Sequence, residues 1–74
     1  MAEKTLDLRG LKCPLPALRT RKALSAMQPG DLLMVACTDP LAAIDIPNLV
    51  RETGDMLQGS SRNNNVMTFR IGTR

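Results

Sequence analysis

Two prolines separated by a single residue, Pro14 and Pro16, constrain the fold of this chain more than any other feature. Proline is tolerated in the first turn of a helix, where the N–H groups have no intrahelical partner, but not in a helix interior. The pair therefore predicts the N-terminus of a helix, with Cys13 at or near its N-cap. Before it, Thr5–Leu8 alternates apolar and polar residues, which predicts a strand.

The rest of the chain gives a readable series of elements. We expect a helix from about Pro14 to Met27, whose buried face carries Ala17, Thr20, Leu24 and Met27. We then expect a strand over Leu32–Cys37 and a short turn over Pro40–Ile44. A helix should start at about Ile46, with Asp45 as its cap, and end at Gly54. Two strands should follow, over Asp55–Ser61 and Asn65–Ile71. Pro47 falls in the first turn of that second helix.

This order predicts an α+β two-layer sandwich with the topology β-α-β-α-β-β. The first two strands are expected to be parallel neighbours joined by a right-handed crossover. Both helices should cover one face of a four-stranded mixed sheet. With 74 residues, the whole chain (1–74) is expected to be a single domain.

The composition excludes several classes of function. The chain has no histidine and two cysteines, which excludes a Cys-His nucleophile pair, a Cys-only structural zinc site and a His-based metal site. No cofactor is expected. The net charge of +3 is mild and the single aromatic residue gives no base-stacking platform, so sequence-specific nucleic-acid binding is not expected. With no apolar run long enough for a signal peptide or a membrane span, we expect a cytoplasmic protein with reduced thiols.

Cys13 is the candidate reactive group. A helix N-terminus carries about half a positive charge, and Lys12 and Arg9 add basic side chains close in sequence. These features predict a lowered thiol pKa, and hence a stabilised sulfur anion. No general base for neutral pH is expected beside it, which argues against hydrolysis.

Alternatives to a reactive Cys13 stay open on the residues alone. Cys13 could be a small buried residue at a helix cap. The chain could also be a non-catalytic regulatory or interaction module. Cys37, which ends the apolar second strand, is expected to be structural. A Cys13–Cys37 disulfide in a redox sensor remains open, whereas Pro16 three residues after Cys13 excludes a C-x-x-C pair.

Four motifs in order resemble the TusA/SirA/YedF family of small sulfur carriers over roughly residues 5 to 72. They are Leu8-Arg9-Gly10-Leu11-Lys12-Cys13-Pro14-Leu15-Pro16, Gln28-Pro29-Gly30-Asp31, Thr38-Asp39-Pro40 and Asp45-Ile46-Pro47. The resemblance implies the same β-α-β-α-β-β sandwich. It also implies that Cys13 accepts sulfane sulfur as a persulfide and passes it on, as a carrier rather than a stand-alone turnover enzyme.

The implied partners are a sulfur donor, either a cysteine desulfurase or a rhodanese-like protein, and an acceptor cysteine on a relay protein. The relay would lead to tRNA 2-thiouridine synthesis or to sulfur oxidation, and the carrier itself is expected to be a monomer. We expect structural support for Cys13 from Gly10, Pro14, Pro16, Asp45 and Pro47, and contacts to partner proteins from Arg9, Lys12, Leu15, Arg19 and Lys22.

Overall fold

The order of elements along the chain is the predicted one. The computed structural model describes residues 2–74, so Met1 of the expected domain lies outside the described residues. The elements are β1 (Glu3–Leu8), α1 (Leu15–Ser25), β2 (Leu32–Cys37), α2 (Ala42–Thr53), β3 (Met56–Asn63) and β4 (Val66–Gly72). The predicted bounds of β2 agree with the structure, and β1, β3 and β4 differ from the prediction by one or two residues at their ends.

The four strands form one mixed sheet in the order β1-β2-β4-β3. β1 runs parallel to β2, as predicted, while β4 is antiparallel to both β2 and β3. The apolar run of β2 is therefore flanked by a strand on each side, which suits a central strand.

Both helices pack on the same face of this sheet. Alternate strand residues point toward the helices and are buried, whereas Met34, Thr68 and Arg70 between them are not. The core cluster contains Leu8, Leu33, Val35, Cys37, Met67, Phe69 and Ile71 from the sheet, and Ala23, Leu24, Ala42, Ile46 and Val50 from the helices. The predicted two-layer sandwich is confirmed.

Helix α1 begins one residue later and ends two residues earlier than predicted. Pro14 is its N-cap, Pro16 lies in its first turn, and Ala26 and Met27 continue as a turn whose amides bond to Ala23 and Leu24. Thr20, expected on the packed face of this helix, is fully buried. Its hydroxyl donates a hydrogen bond to the carbonyl oxygen of Pro16 at 2.7 Å. A buried hydroxyl without such an acceptor would be costly.

The prediction of an interrupted second helix is wrong. α2 is continuous from Ala42, and Pro47 lies inside it rather than in its first turn. Proline in a helix interior removes one backbone hydrogen bond. The helix persists because Ala42, Ile46, Leu49 and Val50 form a buried stripe at helical spacing, and burial of large apolar side chains outweighs one lost bond. Gly54 ends the helix with φ 80°, as predicted.

Candidate functional site around Cys13

Cys13 lies in the short connection between β1 and α1, and its thiol is free and exposed. Gly10 turns the chain out of the sheet with φ 86°, a conformation that L residues rarely adopt. The amide of Gly10 donates to Oγ1 of Thr38 at 2.9 Å, which ties this connection to the loop that follows β2. Exposure of Cys13 argues against the reading of a buried cap residue.

Asp39 joins the same two segments through its carboxylate. Its Oδ2 accepts a hydrogen bond from the amide of Cys13 at 2.6 Å, and its Oδ1 accepts one from the amide of Leu41 at 3.1 Å. Because β1 and β2 are parallel neighbours, their carboxyl ends meet at one edge of the sheet, which brings the two loops together. One carboxylate thus fixes the backbone of the cysteine and the entry to α2.

Asp45 contacts the sulfur itself. The Cys13 thiol donates a hydrogen bond to Asp45 Oδ2, with 3.3 Å between the sulfur and the oxygen. The prediction that Asp45 caps α2 is wrong, because the helix begins at Ala42 and Asp45 lies within its first turns. Its own amide donates to the carbonyl oxygen of Leu41. The expectation that no base stands beside Cys13 is also wrong, since a carboxylate is within reach of its proton.

The pKa of the Cys13 thiol is raised, not lowered as predicted. The hydrogen bond to Asp45 is the largest cause, followed by partial desolvation and by the negative charges of Asp45 and Asp39. These effects favour the neutral thiol over the thiolate.

The electropositive surroundings expected from the sequence are weaker than predicted. Pro14 and Pro16 have no N–H, and the amide of Leu15 donates to the carbonyl oxygen of Lys12 at 2.9 Å. Arg9 is engaged elsewhere: its Nε lies 2.8 Å from Oδ1 of Asp7. That ion pair lowers the pKa of Asp7 to about 2. Of the two basic residues expected beside the sulfur, Lys12 lines a groove with Cys13 and Arg9 does not.

Two open grooves meet at Cys13. The first, which we call the loop groove, is lined by Gly10, Leu11, Lys12, Cys13, Thr38, Asp39, Pro40 and Leu41. The second, the helix groove, runs between α1 and α2 and is lined by Cys13, Pro14, Ala17, Leu18, Arg21, Asp45, Asn48, Leu49 and Glu52. Leu41 and Leu18, one in each groove, are 51% and 54% exposed. A partner's reactive group can approach the sulfur through either groove.

The residues expected to contact partner proteins differ in their position relative to the two grooves. Lys12 lines the loop groove, and Leu15 is 42% exposed at the start of α1. Arg19 and Lys22 are exposed on α1 but line neither groove.

Sequence reasoning missed the residues of α1 that do face the helix groove. They are Ala17, Leu18 and Arg21. Their spacing from Pro14 by three, four and seven positions is the helical signal that could have identified this face. Arg21 bridges the groove to Glu52 on α2, with 2.9 Å between Nη2 and Oε2.

Cys37 is isolated from solvent. It is fully buried in the core and is free, and burial is the main cause that raises its pKa, to about 11. This supports the structural reading of Cys37, because a buried thiol with a high pKa is a poor nucleophile.

Within residues 2–74, no helix combines the length and apolar character needed to cross a membrane. No group of three or more Cys, Asp or Glu side chains in the same range is arranged to hold a metal ion.

Fold and site together define a small two-layer α/β protein that presents one accessible cysteine at the junction of its first strand and helix. Residues 4–72 match the Sulfurtransferase TusA family, and the chain belongs to that family. It is 48% identical over 69 residues to a putative sulfur carrier protein of Neisseria meningitidis serogroup A, with 93% of each chain covered. It is 39% identical to the sulfur carrier protein TusA of Allochromatium vinosum, covering 93% of this chain and 91% of the relative.

A solved structure supports the fold independently. The SirA-like protein of Desulfitobacterium hafniense superposes with a TM-score of 0.81 at 22% identity, covering 93% of this chain and 95% of the other. At that identity the likeness concerns the fold, which is the predicted β-α-β-α-β-β sandwich.

Proposed function

We propose that this protein is a sulfur carrier that holds sulfane sulfur as a persulfide on Cys13 and transfers it to a cysteine of a partner protein. The observation that carries the proposal is the position of Cys13: a free, exposed thiol at the meeting point of two open grooves. Family membership and relatives named as sulfur carriers support the same conclusion.

The site suits a persulfide better than a disulfide. A carrier must expose its sulfur to partners and must keep other thiols of its own chain from attacking it. The chain has one other cysteine, Cys37, and that residue is fully buried. The alternative of a Cys13/Cys37 redox sensor is therefore not favoured.

Loading is a displacement at sulfur. The Cys13 sulfur, after giving up its proton, attacks the outer sulfur of the donor's persulfide, and the bond between the donor's two sulfurs breaks. The donor cysteine leaves as a thiolate and takes up a proton. One thiol and one persulfide are consumed and one of each is formed, so no external oxidant is needed.

The partners follow from this reaction. A cysteine desulfurase or a rhodanese-like protein would supply the sulfur, and a relay protein with an acceptor cysteine would receive it. We propose that Lys12, which lines the loop groove, and Leu15, which is exposed at the start of α1, contact such partners, together with Arg9, Arg19 and Lys22. We expect this relay to operate in the cytoplasm, where thiols stay reduced. We expect the carrier itself to be a monomer. Synthesis of tRNA 2-thiouridine or sulfur oxidation would be its end point.

Intact-protein mass spectrometry tests the proposal. After incubation with a cysteine desulfurase and cysteine, the protein should gain about 32 Da, the mass of one sulfur atom at a cysteine. Cys13→Ser should abolish the gain, whereas Cys37→Ser, the matched control, should retain it. No gain in the wild-type protein, or an equal gain in Cys13→Ser, would falsify the proposal.

Transfer to an acceptor separates a carrier from an interaction module. The loaded protein, freed of desulfurase and cysteine, should lose its extra mass when a reduced candidate relay protein is added, and the relay protein should gain it. An interaction module would instead keep its partner binding and its cellular effect after Cys13→Ala. Comparing relay proteins of tRNA thiolation with those of sulfur oxidation would identify the pathway.

A further inference from the structure

The hydrogen bond from Cys13 to Asp45 can form in the empty state of a sulfur carrier but not in the loaded state. In the empty state, Cys13 Sγ carries a hydrogen and donates it to Asp45 Oδ2, 3.3 Å away. In the loaded state, the same Sγ is bonded to a second sulfur and has no hydrogen to donate. The outer sulfur of a persulfide ionises more readily than a thiol, so loading also introduces a negative charge beside this carboxylate.

Asp45 is held in place for this task by the helix that carries it. It is partly buried, and its neighbours Ala42 and Ile46 are anchored in the core with exposures of 2% and 0%. The backbone position from which the carboxylate reaches the sulfur is therefore fixed by the packing of α2.

The charged groups around the sulfur do not cancel this effect. Asp39, on the loop after β2, adds a second negative charge. Arg21 and Glu52, farther along the helix groove, neutralise each other through their ion pair. Among the basic residues of the cysteine's own connection, Arg9 is paired with Asp7, and Lys12 lines the loop groove, whereas Asp45 lines the helix groove.

Resting on the proposed function, we propose that Asp45 is a positioning residue that stabilises the empty carrier relative to the loaded one, and so drives release of sulfur. In the unloading step, the acceptor thiolate attacks the outer sulfur and the bond from that sulfur to Cys13 Sγ breaks. The Cys13 thiolate leaves and takes the proton given up by the acceptor thiol. The products are an acceptor persulfide and the Cys13 thiol, with mass and charge balanced.

The hydrogen bond then suppresses the reverse reaction. Because the thiolate is the nucleophile, a sulfur held as a thiol attacks the acceptor's new persulfide only slowly. The raised pKa of Cys13, caused first by the Asp45 hydrogen bond, is consistent with this direction. Loading then depends on a donor that can overcome the same bias, such as one whose persulfide is regenerated continuously.

An equilibrium measurement with glutathione tests the inference. Protein loaded at Cys13 is mixed with an equimolar amount of reduced glutathione without oxygen, so that little free thiol remains to reduce glutathione persulfide to hydrogen sulfide, and the loaded and empty forms are quantified by their mass difference. Asp45→Asn removes the charge and should shift the equilibrium toward the loaded form by about two- to fivefold, the range of an exposed charge interaction. Glu3→Gln removes a carboxylate charge at the start of β1, outside both grooves, and should leave the equilibrium unchanged.

A pH profile distinguishes positioning from a merely structural role. Alkylation of Cys13 by iodoacetamide, followed by peptide mapping, should show a lower midpoint pH in Asp45→Asn and in Asp45→Ala than in the wild type. Asp45→Glu, which keeps the charge, should restore a midpoint close to that of the wild type. Circular dichroism identifies any variant that fails to fold. If one of the two neutral variants fails, the midpoint pH of the other tests the inference.

The outcomes separate the two proposals. If the wild-type protein takes up no sulfur, the proposed function fails and this inference fails with it. If the wild type loads, but the neutral variants show its equilibrium and its alkylation midpoint, only the role of Asp45 is overturned.

Discussion

The amide of Cys13 donates a hydrogen bond to Oδ2 of Asp39, with 2.6 Å between nitrogen and oxygen. The two residues are 26 positions apart in sequence and belong to different loops at one edge of the sheet. Because Oδ1 of Asp39 also accepts from the amide of Leu41, this side chain fixes Cys13 relative to α2. The position of the thiol therefore depends on a residue that does not contact the sulfur.

Removing this carboxylate should loosen the site. Asp39→Ala leaves two backbone donors without their acceptor, and because both are accessible to water we expect a loss of about 1 kcal/mol in the free energy of unfolding. Urea denaturation measures that loss, and hydrogen exchange should show faster exchange at the amide of Cys13. Asp39→Asn, which keeps one acceptor oxygen, should lose less. Unchanged exchange at Cys13 in Asp39→Ala would contradict the anchoring role.

The turn before Cys13 requires a positive φ at Gly10. Gly10 has φ 86°, and a Cβ atom there would meet no other atom within 4 Å, so only backbone strain opposes a side chain. Gly10→Ala should therefore destabilise the protein by about 1–2 kcal/mol, the cost of a left-handed conformation for an L residue.

A matched control exists in β3. Gly59 also has open space around its Cα, but its φ is not positive. Gly59→Ala should leave the urea midpoint close to that of the wild type. Equal midpoints for Gly10→Ala and Gly59→Ala would show that strain at Gly10 is not what selects glycine.

Local patterns predicted most of the fold, because most of its elements are determined by nearby residues. The paired prolines placed the start of α1 to within one residue, and the apolar run of β2 matched its observed bounds. Pro47 misled the prediction of α2, since a local rule about proline does not include the burial of Ile46 and Val50 in the core against the sheet.

The electrostatics of the site could not be predicted in the same way. The nearest basic residues in sequence suggested a stabilised thiolate, but in space Arg9 pairs with Asp7 and the sulfur faces Asp45. Asp45 is 32 residues from Cys13, and only the packing of α1 beside α2 brings them together. Charges that act on a side chain are set by tertiary contacts, which sequence separation does not reveal.

Burial of Cys37 predicts a dependence of stability on pH. Its pKa is raised from 9.0 to about 11 in the folded protein, so between these values the unfolded chain has lost a proton that the folded chain retains. Stability contributed by this group is fully present below pH 9 and is lost progressively as pH rises to about 11. The expected loss approaches about 2–3 kcal/mol for two pKa units.

Paired variants isolate this contribution from other titrating groups. Urea denaturation under reducing conditions would be compared for Cys13→Ser and for Cys13→Ser/Cys37→Ala between pH 8 and pH 11. The double variant is less stable at neutral pH because it has a smaller core side chain, but the gap should narrow as pH rises. A gap that stays constant would mean that Cys37 does not stay protonated in the folded state.

The exposed leucines beside Cys13 should matter for sulfur transfer and not for stability. Leu18 is 54% exposed in the helix groove and Leu41 is 51% exposed in the loop groove. Substitution of either by alanine should change the free energy of unfolding by no more than about 0.5 kcal/mol, as for other surface positions. Leu33→Ala, at a fully buried position, should instead cost about 2–5 kcal/mol.

Comparing the two surface variants identifies the groove that a sulfur donor occupies. If a donor enters through the helix groove, Leu18→Ala should raise the KM for carrier in a desulfurase assay several-fold, and Leu41→Ala should leave it unchanged. Entry through the loop groove gives the opposite pattern. An exposed apolar side chain that a partner buries strengthens binding because its surface is removed from water. Its loss should therefore weaken binding and raise the KM. If neither variant changes the KM, the donor contacts neither leucine, and its docking surface lies elsewhere on the molecule.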